Sequence, residues 1–388
     1  MSKLDLPTDG VFRKFKWIEE DDIAEIGELL RSGDLSGFLG TKSPSHLGGE
    51  QVKLLEALWA KLARTQGAVT FNSWTSGLEA SVAALGLKTG LEVIVTPWTM
   101  AATGSAIINN DLIPVFCDIE PSSYNLDPNQ VEKLLSPKTG AIIAVDIFGK
   151  PCAFDSLSKL AKSHNIPFVI DAAQTPLATT NGYRSSEFAD ISGYSFNRHK
   201  HLQCGEGGIA VTNNLDYLKR MQCYRNHAEV TTESDDLLVS GHNLRLGEME
   251  SKLIIRQLAR IEKLVGHRRQ AAVTIIEGLS DIKCISLPEP SLKEHDFYIL
   301  GINLHREIFS NRKDIYDELK SLGTPGIMYG YENIQRYPAF RKFNPSKLPV
   351  AERLQDQEFL GVYMCGIEWS SLAIEVVIEN FRKVLLKL

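Results

Sequence analysis

Short, continuous apolar runs alternate with segments of helical periodicity through about residue 215, and this alternation constrains the fold more than any other feature. The runs are apolar at nearly every position, which is typical of parallel strands covered by helices on both faces of their sheet. The predicted strands span residues 68–73, 91–97, 113–120, 141–148, 167–173, 191–196 and 207–213. The predicted helices of this region span residues 20–32, 50–65, 75–87, 128–136 and 153–164.

The pattern changes after about residue 250. A long helical stretch over residues 248–279 leads into a region with fewer alternations, in which residues 296–304 are a predicted strand and residues 374–387 the last predicted helix. A chain of 388 residues is long enough for two domains. We therefore predict an α/β large domain over residues 1–258, with a mostly parallel seven-stranded sheet flanked by helices, and a smaller C-terminal α+β domain over residues 259–388.

Charge and cysteine usage exclude several classes of protein. The formal net charge of -6 argues against a general nucleic-acid binder, which would carry a basic excess. The six cysteines form no CxxC pair, as expected for reduced thiols in the cytoplasm, and no ligand spacing predicts a metal site. An apolar leader and a run of about 18 apolar residues are both missing from the sequence, so we predict a cytoplasmic protein without a membrane span.

Two polar or aromatic groups follow predicted strands in the first half of the chain. Ser76 and Gly77 stand where a helix begins, and its free N–H groups would suit a phosphate, although a hydroxyl here can equally serve as an ordinary N-cap. Trp98 follows a strand that ends at Pro97, at the sheet edge where open parallel sheets bind ligands. Its ring could stack on a planar ligand or could be a core side chain.

Two ionisable groups follow later strands. Asp171 comes directly after four apolar strand residues, and a buried carboxylate requires a cation or hydrogen-bond donors unless it is a helix N-cap. Lys200 stands in a polar loop between two strands, flanked by His199 and His201 and followed by glycines. Nearby positive charge and partial burial would lower the pKa of its amine and make it nucleophilic, whereas the alternative is a surface loop lysine.

The order of these features resembles the DegT/StrS family of sugar and cyclitol aminotransferases, which are fold-type-I enzymes dependent on pyridoxal 5'-phosphate (PLP). The resemblance covers nearly the whole chain from residue 30 onwards. Its most specific motif is SFNRHKHLQCGEGG, and further matches are LEVIVTPWT, DAAQ, LRLGEMESKLIIRQL and YPAFRKF. The resemblance implies a PLP-dependent transfer of an amino group from L-glutamate or L-glutamine to a keto-sugar.

The resemblance also assigns roles to particular residues. Lys200 matches the lysine that holds PLP as a Schiff base and moves protons, and Asp171 matches the partner of the pyridine nitrogen. Gln174 is similar to the residue that binds the phenolic oxygen, and Trp98 to the aromatic residue that stacks on the ring. The remaining cofactor contacts are implied for Ser195 and for the turn of Ser76, Gly77 and Leu78, which match the phosphate site, and for Asn243, which resembles an asparagine that reaches the phosphate of a neighbouring subunit. The last assignment implies a homodimer with composite active sites.

The sequence departs from the family pattern at a few positions. Leu78 replaces a usual threonine, so one phosphate-binding hydroxyl is expected to be missing. Gln203 stands two residues before the GEGG sequence, where the family often has threonine. A branch that dehydrates sugars has histidine in place of the lysine, and Lys200 disfavours that branch. Because His199 and His201 are adjacent to Lys200, a match shifted by a single residue would reverse this conclusion.

The sequence constrains the identity of the substrate that accepts the amino group less than it constrains the cofactor. The segment 328–343 is expected to line its site, with Tyr329, Tyr331 and Arg336 as candidate contacts that could instead only pack or face solvent. A nucleotide-linked keto-sugar, in amino-sugar biosynthesis for surface polysaccharides or secondary metabolites, is the first expectation. A free keto-inositol, a deoxysugar dehydratase and a non-catalytic regulator are the alternatives.

Overall fold

A computed structural model of the chain describes residues 10–40, 43–228, 240–308, 311–343 and 347–387. Its strands, in chain order, are β1 Arg13–Lys14, β2 Gly67–Phe71, β3 Glu92–Val95, β4 Ile113–Phe116, β5 Thr139–Val145, β6 Phe168–Asp171, β7 Ile191–Ser195, β8 Gly208–Thr212, β9 Ile285–Ser286, β10 Ile299–Leu304, β11 Ile327–Met328, β12 Phe359–Tyr363 and β13 Ile367–Glu368. Its α-helices are α1 Glu20–Ser32, α2 Glu50–Ala63, α3 Trp74–Ala84, α4 Ala101–Ile108, α5 Pro128–Leu134, α6 Phe154–Ser163, α7 Leu215–Arg225, α8 Glu248–Leu258, α9 Ile261–Leu279, α10 Arg312–Ser321, α11 Pro349–Arg353 and α12 Ser371–Leu385.

The large sheet has seven strands in the order β2-β8-β7-β6-β5-β3-β4. The pairings from β7 to β4 are parallel, whereas β8 runs antiparallel to both β7 and β2. Strands β2, β5, β6 and β8 are buried at every position, as expected for a sheet covered on both faces. The prediction of a mostly parallel seven-stranded sheet is confirmed.

The C-terminal region forms a second, antiparallel sheet in the order β11-β12-β10-β9. Helices α9 and α12 pack against it through an apolar cluster that includes Leu279, Leu300 and Phe381. The smaller α+β unit is therefore present as predicted.

The start of the chain lies with this C-terminal unit. Strand β1 pairs with β13, and Phe12 belongs to the C-terminal apolar cluster. The predicted boundary at residue 258 falls between α8 and α9, and we propose that the small unit also includes the described residues before α1. None of the described helices is long and apolar enough to cross a membrane.

Most predicted elements correspond to an element of the structure, with two kinds of exception. The stretch 248–279 is two helices rather than one, because Arg260 leaves the helical conformation with φ -123° and ψ 21°. Its guanidinium instead donates to the carboxylate of Asp22 and to the carbonyl of Trp17 at 2.7 Å, which ties the break to the N-terminal helix. Helices α4, α7, α10 and α11 were not predicted, and neither were strands β1, β9, β11, β12 and β13.

Candidate active site

The candidate residues meet at the carboxyl edge of the large sheet. Strand β6 ends at Asp171 and the parallel strand β7 ends at Ser195, so both side chains reach the same edge. The loop from β7 to β8 carries Lys200, and Lys200, Ser195 and Ala173 line one small cavity. Ligands of open α/β sheets bind at this edge.

Asp171 is buried and is held by three neutral donors. The indole N–H of Trp74 donates to Oδ1 at 2.7 Å, the backbone N–H of Ala173 donates to the same oxygen at 3.2 Å, and the hydroxyl of Thr103 donates to Oδ2 at 3.2 Å. Burial raises the pKa of this carboxyl group, while the charge of Lys200 and the indole donor act in the opposite direction. A buried carboxylate in this state would be stabilised by a cation beside it.

Lys200 is the buried amine of the site, with 8 % of its surface exposed. Its Nζ lies 4.5 Å from the centroid of the Tyr298 ring. Burial lowers the pKa of the amine to about 8, partly offset by the charge of Asp171. About a tenth of the amine is therefore neutral and nucleophilic at pH 7, far more than for a lysine of ordinary pKa.

Gln174 connects the site to the C-terminal unit. Its Oε1 accepts from the backbone N–H of Phe148 at 2.6 Å, and its Nε2 donates to the hydroxyl of Tyr331 at 3.3 Å. The Tyr331 hydroxyl is also hydrogen-bonded to Tyr298. Of the predicted acceptor residues, Tyr331 is the one that these contacts bring to the site.

The structure changes the expected layout of the phosphate turn. Helix α3 begins at Trp74, and the Ser73 hydroxyl caps it by accepting from the N–H of Ser76 at 3.1 Å. The helix starts one residue earlier than predicted. Leu78 lies in the core with 0 % of its surface exposed, and a Cβ at position 77 would meet the Trp74 ring at 2.8 Å. The exposed hydroxyl residue in the first turn is Thr75, so the missing threonine at position 78 does not leave the helix N-terminus without a hydroxyl.

Trp98 is placed as a core side chain. It is fully buried and packs edge-on against Tyr124, Phe148 and Phe359, with ring centroids 5.0 to 5.5 Å apart. The contacts of this ring favour the alternative that the sequence left open, and the stacking role stays an untested prediction.

Two other predicted acceptor residues make contacts elsewhere. Tyr329 stacks on Tyr316 at 4.2 Å, and the Arg336 guanidinium donates twice to Asp356 at 2.6 and 2.8 Å. Asn243 is exposed and precedes Leu244, whose carbonyl accepts from the N–H of Asn72 beside the start of α3. Their predicted roles toward a substrate or a neighbouring subunit stay predictions.

Sequence reasoning missed Trp74, Thr103 and Tyr298. Each touches Asp171 or Lys200 but comes from an element distant in sequence, such as Trp74, which is 97 residues before Asp171. One signal was available for Trp74, because the large sheet has glycine at 193 and 208, where a Cβ would collide with this tryptophan. Glycines opposite a bulky residue indicate a close approach, but only once the strand order is known.

The donor set fits a planar cofactor of the PLP type. A buried amine of lowered pKa suits an aldehyde, and a buried carboxylate with neutral donors suits a protonated ring nitrogen. The hydroxyl residues Thr75 and Ser76 in the first turn of α3, at the positive end of the helix dipole, suit a phosphate. The fold is that of fold-type-I transferases, and these groups fit the PLP cofactor of that class.

Comparisons with known proteins agree with this class. The model of the DegT/DnrJ/EryC1/StrS aminotransferase family matches residues 31–363, and the chain belongs to this family. The UDP-N-acetyl-3-dehydro-alpha-D-glucosamine 3-aminotransferase of Acidithiobacillus ferrooxidans is 30% identical over 91% of both chains. The dTDP-3-amino-3,4,6-trideoxy-alpha-D-glucose transaminase of Streptomyces venezuelae is 30% identical over 83% of this chain and 82% of its own.

A solved structure has the same fold over almost the whole chain. The Helicobacter pylori aminotransferase PseC, described as involved in the biosynthesis of pseudoaminic acid, superimposes with a TM-score of 0.85 at 25% identity. The match covers 97% of this chain and 100% of PseC.

Proposed function

We propose that this chain is a PLP-dependent aminotransferase that moves an amino group from L-glutamate or L-glutamine to a nucleotide-linked keto-sugar. The observation that carries the proposal is the buried Lys200 amine beside the buried Asp171 carboxylate at the carboxyl edge of the sheet. The names of the relatives, which are transaminases of UDP- and dTDP-linked sugars, support the acceptor class.

Each residue has a chemical task in this proposal. The cofactor, when bound, would supply an electron sink for the pair left behind when the Cα–H bond of the amino donor breaks. Lys200 Nζ would accept that proton as a general base and return it as a general acid, for which a pKa of about 8 is suitable. Asp171 would hold the proton of the ring nitrogen, and Gln174 would bind the phenolic oxygen.

The orientation of the Lys200 loop favours transamination over dehydration. His201 has a ring nitrogen 2.9 Å from the carbonyl of Asp296, and His199 is only half-buried. The group directed at Tyr298 and Asp171 is therefore an amine and not an imidazole, which speaks against the histidine-bearing dehydratase branch. The same intact set makes a non-catalytic regulator the least favoured alternative.

A homodimer with Asn243 contributed by the neighbouring subunit is part of the proposal. Residues 18–58 carry half of the exposed large apolar side chains among the described residues, an unusual density that a second copy would cover. These side chains are Ile18, Ile23, Leu30, Leu35, Leu39, Leu47, Leu54 and Leu58.

One assay separates the candidate functions. The purified protein is incubated with PLP and either glutamate or glutamine, and keto-sugar nucleotides and scyllo-inosose are screened for amine products by mass. Lys200→Ala should lose the visible absorption of the bound cofactor and all amine product, whereas the exposed Lys219→Ala should retain both. A protein that takes up no PLP contradicts the proposal, and a keto product formed without consumption of donor would instead identify a dehydratase.

A further inference from the structure

The Lys200 amine lies against the face of an aromatic ring that belongs to the C-terminal unit. Tyr298 directly precedes β10 and is 2 % exposed, and the centroid of its ring lies 4.5 Å from Lys200 Nζ. At this distance an ammonium is attracted by the negative face of the ring, and the attraction is stronger in a desolvated site than in water.

We propose that Tyr298 is a positioning residue for Lys200. The Tyr298 ring holds the free Lys200 amine against its face and stabilises the ammonium form of that amine. The inference rests on the proposed role of Lys200 as the proton-transfer group. A flexible lysine released from a covalent bond has many rotamers, and a fixed ring that attracts its charged end restricts them.

The Tyr298 ring is itself immobilised. The ring of Tyr363 packs edge-on against the Tyr298 ring, with centroids 5.5 Å apart. The backbone carbonyl of Tyr298 accepts from the N–H of Met364 at 3.1 Å. Its hydroxyl is hydrogen-bonded to Tyr331, whose oxygen accepts from Gln174 at 3.3 Å. The Tyr298 ring is therefore linked through two hydrogen bonds to Gln174, the residue proposed to bind the cofactor oxygen.

The other groups that face Lys200 do not by themselves account for the stabilisation of its ammonium form. Asp171 approaches from the end of β6 and the thiol of Cys365 from the segment after β12, and burial of the amine acts against its charge. The flanking imidazole of His201 is neutral at pH 7, because burial and the Arg268 charge lower its pKa well below the usual range. Asp171 and the Tyr298 ring are then the principal groups that favour the ammonium form.

The test measures the pKa of Lys200 in the cofactor-free, full-length protein. Trace acetylation with acetic anhydride over a pH series, read by peptide mass spectrometry, gives the fraction of neutral amine at Lys200. Tyr298→Phe keeps the ring and should leave the midpoint close to that of the wild type. Tyr298→Leu removes the ring and should lower the midpoint by roughly 1 to 1.5 pKa units.

A control and a second variant series keep the test decisive. Phe381→Leu removes a buried ring from the same C-terminal unit without touching Lys200, and should not move the midpoint. If Tyr298→Leu does not fold, fluorinated phenylalanines at position 298 weaken the ring quadrupole at nearly constant shape, and the midpoint should fall stepwise with fluorination. An unchanged midpoint in Tyr298→Leu or across the fluorinated series overturns the proposal, and so do equal shifts in Tyr298→Phe and Tyr298→Leu.

Activity provides a second readout that is separate from the first. In the cofactor-loaded enzyme, Tyr298→Leu should lower kcat of the donor half-reaction roughly threefold to tenfold and change KM little, because a weaker base is affected more than donor binding. Failure of the proposed function would appear as no PLP uptake by the wild type, and the acetylation midpoints would still decide the role of Tyr298.

Discussion

Replacement of Trp74 by phenylalanine tests how strongly Asp171 depends on its indole donor. The substitution keeps an aromatic ring on the sheet but removes the N–H that donates to Asp171 Oδ1 at 2.7 Å. The remaining donors, Thr103 and the backbone of Ala173, are both at 3.2 Å, so the shortest hydrogen bond of the carboxylate is lost.

The magnitude follows from the charge and burial of the acceptor. A hydrogen bond to a charged group contributes about 1.5–3 kcal/mol, and Asp171 is too buried for water to replace the donor. The loss should therefore appear almost in full in the free energy of unfolding of the cofactor-free protein, in addition to the cost of the smaller ring.

The effect should depend on pH with a definite sign. Because burial raises the pKa of Asp171 in the folded protein, this group contributes stability at low pH that is lost as the pH rises through its folded pKa. The indole N–H lowers that pKa and so limits the loss. Without it the pKa rises further, and the destabilisation should be larger at about pH 8 than at about pH 5, because a larger fraction of Asp171 is ionised at the higher pH and depends on the donor.

Trp59→Phe is the matched control for the change in ring size. Trp59 is also buried, with 1 % of its surface exposed against 5 % for Trp74, and its Nε1 has no hydrogen-bond partner within the described part of the chain. Urea denaturation of both variants at the two pH values gives the difference. Equal destabilisation of the two variants, with no dependence on pH, would refute the role of Trp74 as a donor to a charged Asp171.

Three further predictions concern charges. Arg336→Ala should leave KM for a nucleotide sugar unchanged in steady-state assays, because both terminal guanidinium nitrogens already donate to Asp356; a raised KM would show that this pair opens for substrate. Arg225→Met should lower the free energy of unfolding by about 3–5 kcal/mol in urea denaturation, because Glu56 would stay buried without its partner; a loss below about 1 kcal/mol would contradict a buried pair. The rate of PLP uptake, followed by absorbance, should fall about tenfold per pH unit below about pH 8 and level off above it, because only neutral Lys200 attacks; a flat profile would contradict the lowered pKa.

The large sheet could be predicted from the sequence because its strands are buried on both faces and are therefore continuous apolar runs. Asp171 and Ser195 could be placed at the site for the same reason, since each comes at the carboxyl end of such a run. Helix α4 was missed because its sequence, AATGSAII, is apolar or small on every side and has no helical periodicity.

Contacts between distant segments account for what the sequence left out of the site. The motif TPWT directed attention to Trp98, yet the tryptophan that touches Asp171 is Trp74 of NSWT. Both follow strands of the same sheet, and a linear pattern does not determine which way a side chain turns after the strand ends. That direction is set by the packing, since Phe148 and Phe359 enclose one ring and glycines of β7 and β8 accommodate the other.

The three consecutive titratable residues of the HKH sequence show how the fold separates groups that the sequence places together. Lys200 points at Tyr298, His201 turns to the carbonyl of Asp296, and the carbonyl of His199 accepts from Tyr363 at 2.6 Å. Burial lowers the pKa of both imidazoles, so at neutral pH neither adds a charge that would compete for Asp171. The hydrogen bond from Tyr363 to the His199 carbonyl and the contact of His201 with the Asp296 carbonyl therefore hold the loop in the register that directs Lys200 at Tyr298.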